Sequence, residues 1–346
     1  MNKKERIDNT NNVVFKGDEI VNFNKKLLLI LSFLTFFLPL NIYAYSNKVI
    51  LGGDNIGISV NTKEILVVGF YKVKDKYIAK DSGFLIGDKI YKVNNKEISS
   101  IEELVQEINK TEDKKVTITV KRGSTNKNIE LNLIEENNVY KTGLYIKDQI
   151  TGLGTLTYID PETKVYASLG HEIVDNKTGK LIDIKSGFIF ESIITGNIKS
   201  TITSTGEKKA RFFQNIIKGT INKNTNKGIF GTYKDNIENE KLIEVAKKAE
   251  VKIGPAKIYT VLKDNEVKEY NINIIKINND SITKNILFEI TDSELLKETN
   301  GVIKGMSGSP IVQNNKIIGA VTHAIVGDNT KGYGIFITTM LEEGDK

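Results

Sequence analysis

The stretch Gly305-Met306-Ser307-Gly308-Ser309-Pro310-Ile311-Val312, followed after Gln313 by Asn314-Asn315-Lys316-Ile317-Ile318-Gly319-Ala320-Val321, reads as a glycine-rich loop running into a strand hairpin. A serine at the apex of such a loop is a candidate nucleophile. Glycine two places before Ser307 lets the backbone turn an N–H inward, so the amides of Gly305 and Ser307 can both face a developing oxyanion. Ser309 competes on sequence alone, but Pro310 after it and the displaced glycine register suit a structural role. A Gly-x-Ser-x-Gly elbow is excluded, because it needs glycine where Ser309 stands and a helix after the serine.

A serine hydroxyl needs a base to take its proton, and the sequence holds two histidines, His171 and His323. His171 follows the strand-like run Val165-Tyr166-Ala167-Ser168-Leu169-Gly170. In a pair of barrels, a strand end of the first can face a nucleophile from the second, so His171 is the expected base. His323, 16 residues after Ser307, is expected to pack or touch substrate. His171-Glu172-Ile173-Val174-Asp175 fails as the zinc motif H-E-x-x-H, since Asp175 replaces the second histidine and opens a turn rather than continuing a helix. A triad would be completed by a buried carboxylate that orients the imidazole. Asp160, Asp175, Asp183 and Asp292 all lie near predicted strand ends, and Asp292 keeps the chain order His, Asp, Ser. Such a partner would move the imidazole pKa upward from about 6.5. No metal and no cofactor is expected.

Outward from this site, the chain beyond Thr151 is rich in β-branched residues, glycine and turn signals. Short strands such as Thr155 to Ile159, Val165 to Leu169 and Phe188 to Ile194 suit a barrel or a pair of barrels, and Glu240 to Val251 is the one moderately helical stretch. The loop around Ser307 resembles that of chymotrypsin-like proteases. Residues 46–134 instead read as a small α/β module. Ile56-Gly57-Ile58-Ser59-Val60 and Ile65-Leu66-Val67-Val68 are predicted strands. Ser99 is a predicted N-cap with Glu102 three places on, and Ile101, Leu104, Val105 and Ile108 share one helical face. This run resembles a PDZ domain of bacterial proteases, most specifically over Gly83 to Ile98. In such modules a Gly-Φ-x-Φ strand end presents amides to the C-terminal carboxylate of a peptide, which adds as a strand beside the helix. Gly57, Ile58, Ser59 and Val60 match that pattern. A polar, then glycine-rich linker is expected over 135–152, with the peptidase domain from 153 to 346.

The composition agrees with a multidomain globular chain. Of 346 residues, 39% are hydrophobic and 27% charged, which excludes wholesale disorder. The absence of cysteine excludes disulfides, thiolate metal sites and cysteine nucleophiles. The net charge of +6 is dispersed, with no basic run interleaved with aromatics, so no nucleic-acid partner is expected. Lys25-Lys26 precedes Leu27 to Leu40, apolar except for Ser32, Thr35 and Pro39, and Asn41 to Ala44 closes the segment. Residues 27–44 therefore read as a signal peptide or signal-anchor helix. It leaves a 1–26 cytoplasmic tail and carries the rest across a membrane.

Export segment, PDZ-like module, Gly170-His171 and Gly305-Met306-Ser307-Gly308-Ser309-Pro310, in this order, resemble the stage IV sporulation protein B family of signalling serine peptidases. Gly152-Leu153-Gly154-Thr155, Gly228-Ile229-Phe230-Gly231, Gly319-Ala320-Val321-Thr322-His323 and Gly332-Tyr333-Gly334 support it, while Gly206-Glu207-Lys208-Lys209-Ala210-Arg211 departs from the expected glycine-rich turn. The resemblance implies a mainly-β, chymotrypsin-like double-barrel domain and places the acidic catalytic residue at Asp292, in Ile290-Thr291-Asp292. It also implies export into the space between forespore and mother-cell membranes. There, cleavage of a membrane-associated regulator of an intramembrane protease, and of the enzyme itself, leads to activation of a late mother-cell sigma factor.

Overall fold

The computed structural model describes residues 45–345 apart from 175–178, 180 and 239. The 1–26 tail, the 27–44 segment and Asp175 lie outside the described residues. Among those described, no helix is long and apolar enough to cross a membrane.

The strand Val267–Ile277 shows why these sequences make sheet. Tyr270, Ile272 and Ile274 are buried while Glu269 and Asn271 face solvent, the period-2 alternation of a half-buried strand. Six such strands close a ring. Gly254–Val261 pairs with Val267–Ile277, which pairs with Ile286–Ile290, then Asp328–Phe336, Lys316–Ile325 and Pro310–Gln313, which returns to Gly254–Val261. The interior is filled by Ile258, Ile272, Ile274, Phe288, Ile311 and Phe336, among others. Closure leaves no open sheet edge in the ring, and the loop bearing Ser307 enters the Pro310–Gln313 strand from one end of it.

The other barrel is built from residues far apart in the chain. Asn55–Phe70 pairs through its first half with Leu144–Ile159 on one side and Ile184–Ile198 on the other. Leu144–Ile159 continues to Val165–Ser168, then to Gly228–Thr232, and Ile184–Ile198 pairs with Glu207–Ile221. A bridge from Gly219 to Tyr233 connects the two arms. Lys48–Leu51 also belongs here, between Leu144–Ile159 and Leu242–Val245.

The α/β module is thus an insertion within the barrel. The second half of Asn55–Phe70 pairs with Lys89–Val93, followed by Lys115–Arg122 and Thr125–Asn132. The helix Ile101–Asn109 lies against this sheet, with Leu104 and Ile108 in a core shared with Ile65, Val67, Phe84 and Leu144. Its cap is Ser100, one residue later than expected, whose hydroxyl accepts from Glu103 N–H at 3.2 Å. Val105 departs from the predicted buried face, at 47% exposure.

Three expectations are corrected here. The α/β module was expected to begin at residue 46, but Lys48–Leu51 and residues 55–61 pair with strands of the barrel. The stretch 135–152 is no linker, since it holds the hairpin Ile134–Glu136/Val139–Lys141 and the first half of Leu144–Ile159. Glu240 to Val251 contains the strand Leu242–Val245 and one turn of 3-10 helix at Lys248–Glu250, because Leu242 to Val245 finds sheet partners on both sides.

Candidate active site

Ser307 sits in a loop whose backbone is almost fully bonded. Lys304 N–H donates to Gly206 O at 2.8 Å, Met306 N–H to Ile303 O at 3.1 Å, Gly308 N–H to Val321 O at 2.8 Å and Ser309 N–H to Met306 O at 2.9 Å. The two amides left over are those of Gly305 and Ser307, which have no acceptor among the described residues. Buried amides are nearly always paired, so this alternating pair of open donors at a cleft is free to bond an anionic oxygen. Gly305 adopts φ +94 and Gly308 φ +95, conformations that favour glycine. A side chain at Gly308 would also meet Thr155 O at 2.0 Å. The loop is held from behind by its carbonyls. Thr155 N–H donates to Ser307 O at 2.9 Å, Thr155 Oγ1 to Gly305 O at 2.8 Å and Thr157 Oγ1 to Gly308 O at 2.8 Å.

His171 and Ser307 line one cleft, with Thr151, Gly152, Leu153 and Gly305 along its wall. His171 arrives there through Leu169 at φ 70 and Gly170 at φ 68, two successive left-handed residues that end the Val165–Ser168 strand. A Cβ on Gly170 would lie 2.8 Å from Thr322 Cγ2, so the missing side chain is what lets this turn approach the second barrel. The imidazole Nδ1 lies 2.8 Å from Glu172 O. A proton on Nδ1 donated to that carbonyl leaves Nε2 as the free base. Ser307 Oγ donates to Thr322 O at 2.9 Å.

The sequence-derived site is only partly assembled. Ser307, Gly305 and His171 come together. Asp292 does not join them: it caps the helix Ser293–Thr299, with Oδ1 accepting from Glu294 N–H and Leu295 N–H at 3.0 and 3.1 Å. Its Oδ2 accepts from Asn271 N–H at 3.2 Å. Asp160 accepts from Glu162 and Thr163 amides in its own turn, and no carboxylate bonds to either histidine among the described residues. The Nδ1 position, where a carboxylate was expected, is taken by Glu172 O, and the His323 ring packs beside the imidazole with its centroid 4.9 Å from that of His171. Burial therefore governs the imidazoles. It lowers the His171 pKa, opposite to the expected direction, and lowers His323 to about 4, with His171 adding to the shift. Ser309 is fully buried and its hydroxyl has no partner, which rules it out as the attacking group.

Gly57, Ile58, Ser59 and Val60 are not a peptide-binding edge. Both sides of that segment are paired, with Leu153 to Ile150 on one and Phe190 to Gly187 on the other, and the residues are buried. Gly57 is glycine because the Phe190 ring would lie 2.0 Å from any Cβ there. The chain has a second Gly-Φ-x-Φ run, Gly143-Leu144-Tyr145-Ile146. It opens the strand Leu144–Ile159 with Gly143 at φ +74.

Sequence reading also passed over Lys208 as a residue of the cleft. It is buried in the cleft wall, where Nζ donates to Asn55 Oδ1 at 3.0 Å and Thr260 Oγ1 at 2.8 Å, and its stem packs under Gly305. With no carboxylate partner, burial lowers its pKa to about 7.

A two-barrel fold with a serine, a histidine and two open amides in the cleft between the barrels, carrying an inserted PDZ module, defines a serine peptidase. The family model for the SpoIVB peptidase S55 matches residues 138–341, and that for the PDZ domain matches 55–133. The chain belongs to the SpoIVB peptidase family. No curated protein matches it. Among solved structures it is similar to the PDZ domain of an SdrC-like protein from Listeria monocytogenes, at 22% identity and TM-score 0.22, covering 26% of this chain and 93% of that one. It is also similar to the inactive form of the Rv3671c protease of M. tuberculosis, at 13% identity and TM-score 0.30, covering 54% and 80%.

Proposed function

We propose that this serine peptidase cleaves peptide bonds with Ser307 as nucleophile, His171 as general base and the amides of Gly305 and Ser307 as the oxyanion hole. The observation that carries the assignment is the pair of unbonded amides in an otherwise bonded loop. Substrate binding frees the Ser307 hydroxyl from Thr322 O. His171 Nε2 takes its proton as Oγ attacks the carbonyl carbon, and the negative oxygen settles between the two amides. The imidazolium then protonates the leaving amine as the C–N bond breaks, and a water deprotonated by His171 hydrolyses the resulting ester, which returns the proton to Ser307 and releases the new carboxylate. Glu172 O, rather than a carboxylate side chain, orients the ring.

Family membership supports the finer reading that the protein is exported through residues 27–44, anchored or released, into the space between forespore and mother-cell membranes. Its partners there are a membrane-associated regulator of an intramembrane protease and a chain-end ligand of the PDZ module. Its cuts, including those in itself, trigger activation of a late mother-cell sigma factor. The test of the chemistry is covalent labelling by a fluorophosphonate probe. Folded wild-type protein should label and Ser307→Ala should not. A folded wild-type chain that never labels would instead be a silent PDZ scaffold holding a membrane partner.

A further inference from the structure

The strand Leu144–Ile159 has one paired edge and one open edge. Asn55–Phe70 covers the first along its length. On the other, partner strands begin only at Leu156, where Val165–Ser168 joins. Residues 144–153 therefore present a continuous free edge among the described residues, running from the inserted module into the catalytic cleft, where Gly152 and Leu153 face the space shared with Ser307.

At the module end of that edge a helix runs beside the strand. The helix Ile101–Asn109 lies alongside, pinned at its start by Ile101 N–H donating to Asp148 Oδ2 at 2.8 Å. Past its far end, Tyr140 donates to Thr111 O at 3.5 Å. Ile101 and Ile108 pack in one core with Leu144 and Ile146, and the exposed Val105, on the same side of the helix, offers apolar surface next to it. At the closed end the Gly143 amide has no acceptor among the described residues, and Lys141, in no ion pair among them, precedes it by two positions.

A chain end with its carboxylate at Gly143 and Lys141 must run antiparallel to Leu144–Ile159, entering from the Ser307 side. We propose that the substrate is held this way along its whole C-terminal segment, with its free carboxylate at Gly143, its last side chains against Val105, and its scissile bond at Ser307. The strand then measures where the cut falls. From Leu144 to Leu153 at about 3.4 Å per residue is about 30 Å, so the fragment released is about ten residues long. The substrate class is a protein with an exposed, extended C-terminus ending in apolar residues.

This rests on the peptidase reading, and the experiment keeps the two apart. Full-length protein is incubated with a long, polar synthetic peptide ending in valine-tyrosine-valine with a free carboxylate, with the same peptide amidated, and with one lengthened just before those last residues. Mass spectrometry locates the cuts. The expected result is a single cut about ten residues from the free end, displaced by the number of residues added, and lost or scattered for the amide and for Val105→Glu. Cuts that stay at one peptide bond when the end is lengthened, or an amide cut at the same place and rate, overturn the measuring strand. Fluorophosphonate labelling of the same preparation reports the chemistry alone, so a labelled protein without end dependence refutes only this proposal, and an unlabelled, inactive one refutes both.

Discussion

Thr155 touches the catalytic loop twice, through its N–H to the Ser307 carbonyl and its hydroxyl to the Gly305 carbonyl, at 2.9 and 2.8 Å. It is fully buried, so nothing else competes for these bonds. Thr155→Val keeps the shape and the backbone bond but leaves Gly305 O unpaired. Steady-state kinetics should show a fall of about tenfold in kcat with little change in KM, less than the loss from removing an oxyanion donor outright. An unchanged kcat would mean that the loop holds its geometry without this threonine.

Ser307→Ala should abolish fluorophosphonate labelling, whereas Ser309→Ala should retain it. The Ser309 hydroxyl is buried without a partner, so its removal should shift stability by about 1 kcal/mol at most. Labelling that survives in Ser307→Ala and vanishes in Ser309→Ala would reverse the assignment.

Asp292 separates a helix cap from a catalytic acid. Asp292→Ala should lower unfolding free energy by about 1 kcal/mol, while Asp292→Asn, also a good cap, should cost less. Both folded variants should still label at Ser307. A loss of orders of magnitude in turnover for a fully folded Asp292→Asn would bring this residue back into the catalytic chemistry.

The pH profile follows from burial. His171 must be neutral to accept a proton, and its pKa is lowered from 6.5, so kcat/KM should stay level from neutral pH down past that value before falling. The carboxylate-oriented triad places the fall above 6.5. The position of the acid limb decides between them.

Lys208 gives a prediction on stability. Its folded pKa of about 7 lies below the ordinary lysine value of 10.5, so between these two values the unfolded chain binds more protons than the folded one. Stability should therefore rise with pH across that window. Denaturant titrations at both ends should show the rise in wild type and its absence in Lys208→Met, which keeps the packing stem under Gly305.

Much of this was legible in the sequence, for physical reasons. The Ser307 loop depends on glycines at fixed offsets, and the Ile101–Asn109 helix on an apolar face and a capping serine, all local signals. What misled was non-local. Gly57 to Val60 has the pattern of a peptide-binding strand, but which strands lie beside it is decided by residues 150–153 and 187–190, far along the chain. Asp292 has an acidic residue's credentials next to a strand end, yet Ser293 to Thr299 forms a helix that needs those oxygens. The histidine pair could not be foreseen either, because it depends on Gly170 packing against Thr322 across two barrels.

The insertion of the PDZ module between residues 55 and 155, which are direct sheet partners, has a consequence for how the chain reaches its native state. Loop closure over that separation costs entropy that no local contact repays. A module that folds first on its own core draws Phe70 and Leu144 together, and from that point the two strands can zip toward the barrel one pair at a time. The PDZ module is then the folding nucleus of the enzyme that surrounds it, and damage to its core should slow the appearance of an active serine before it weakens any ligand.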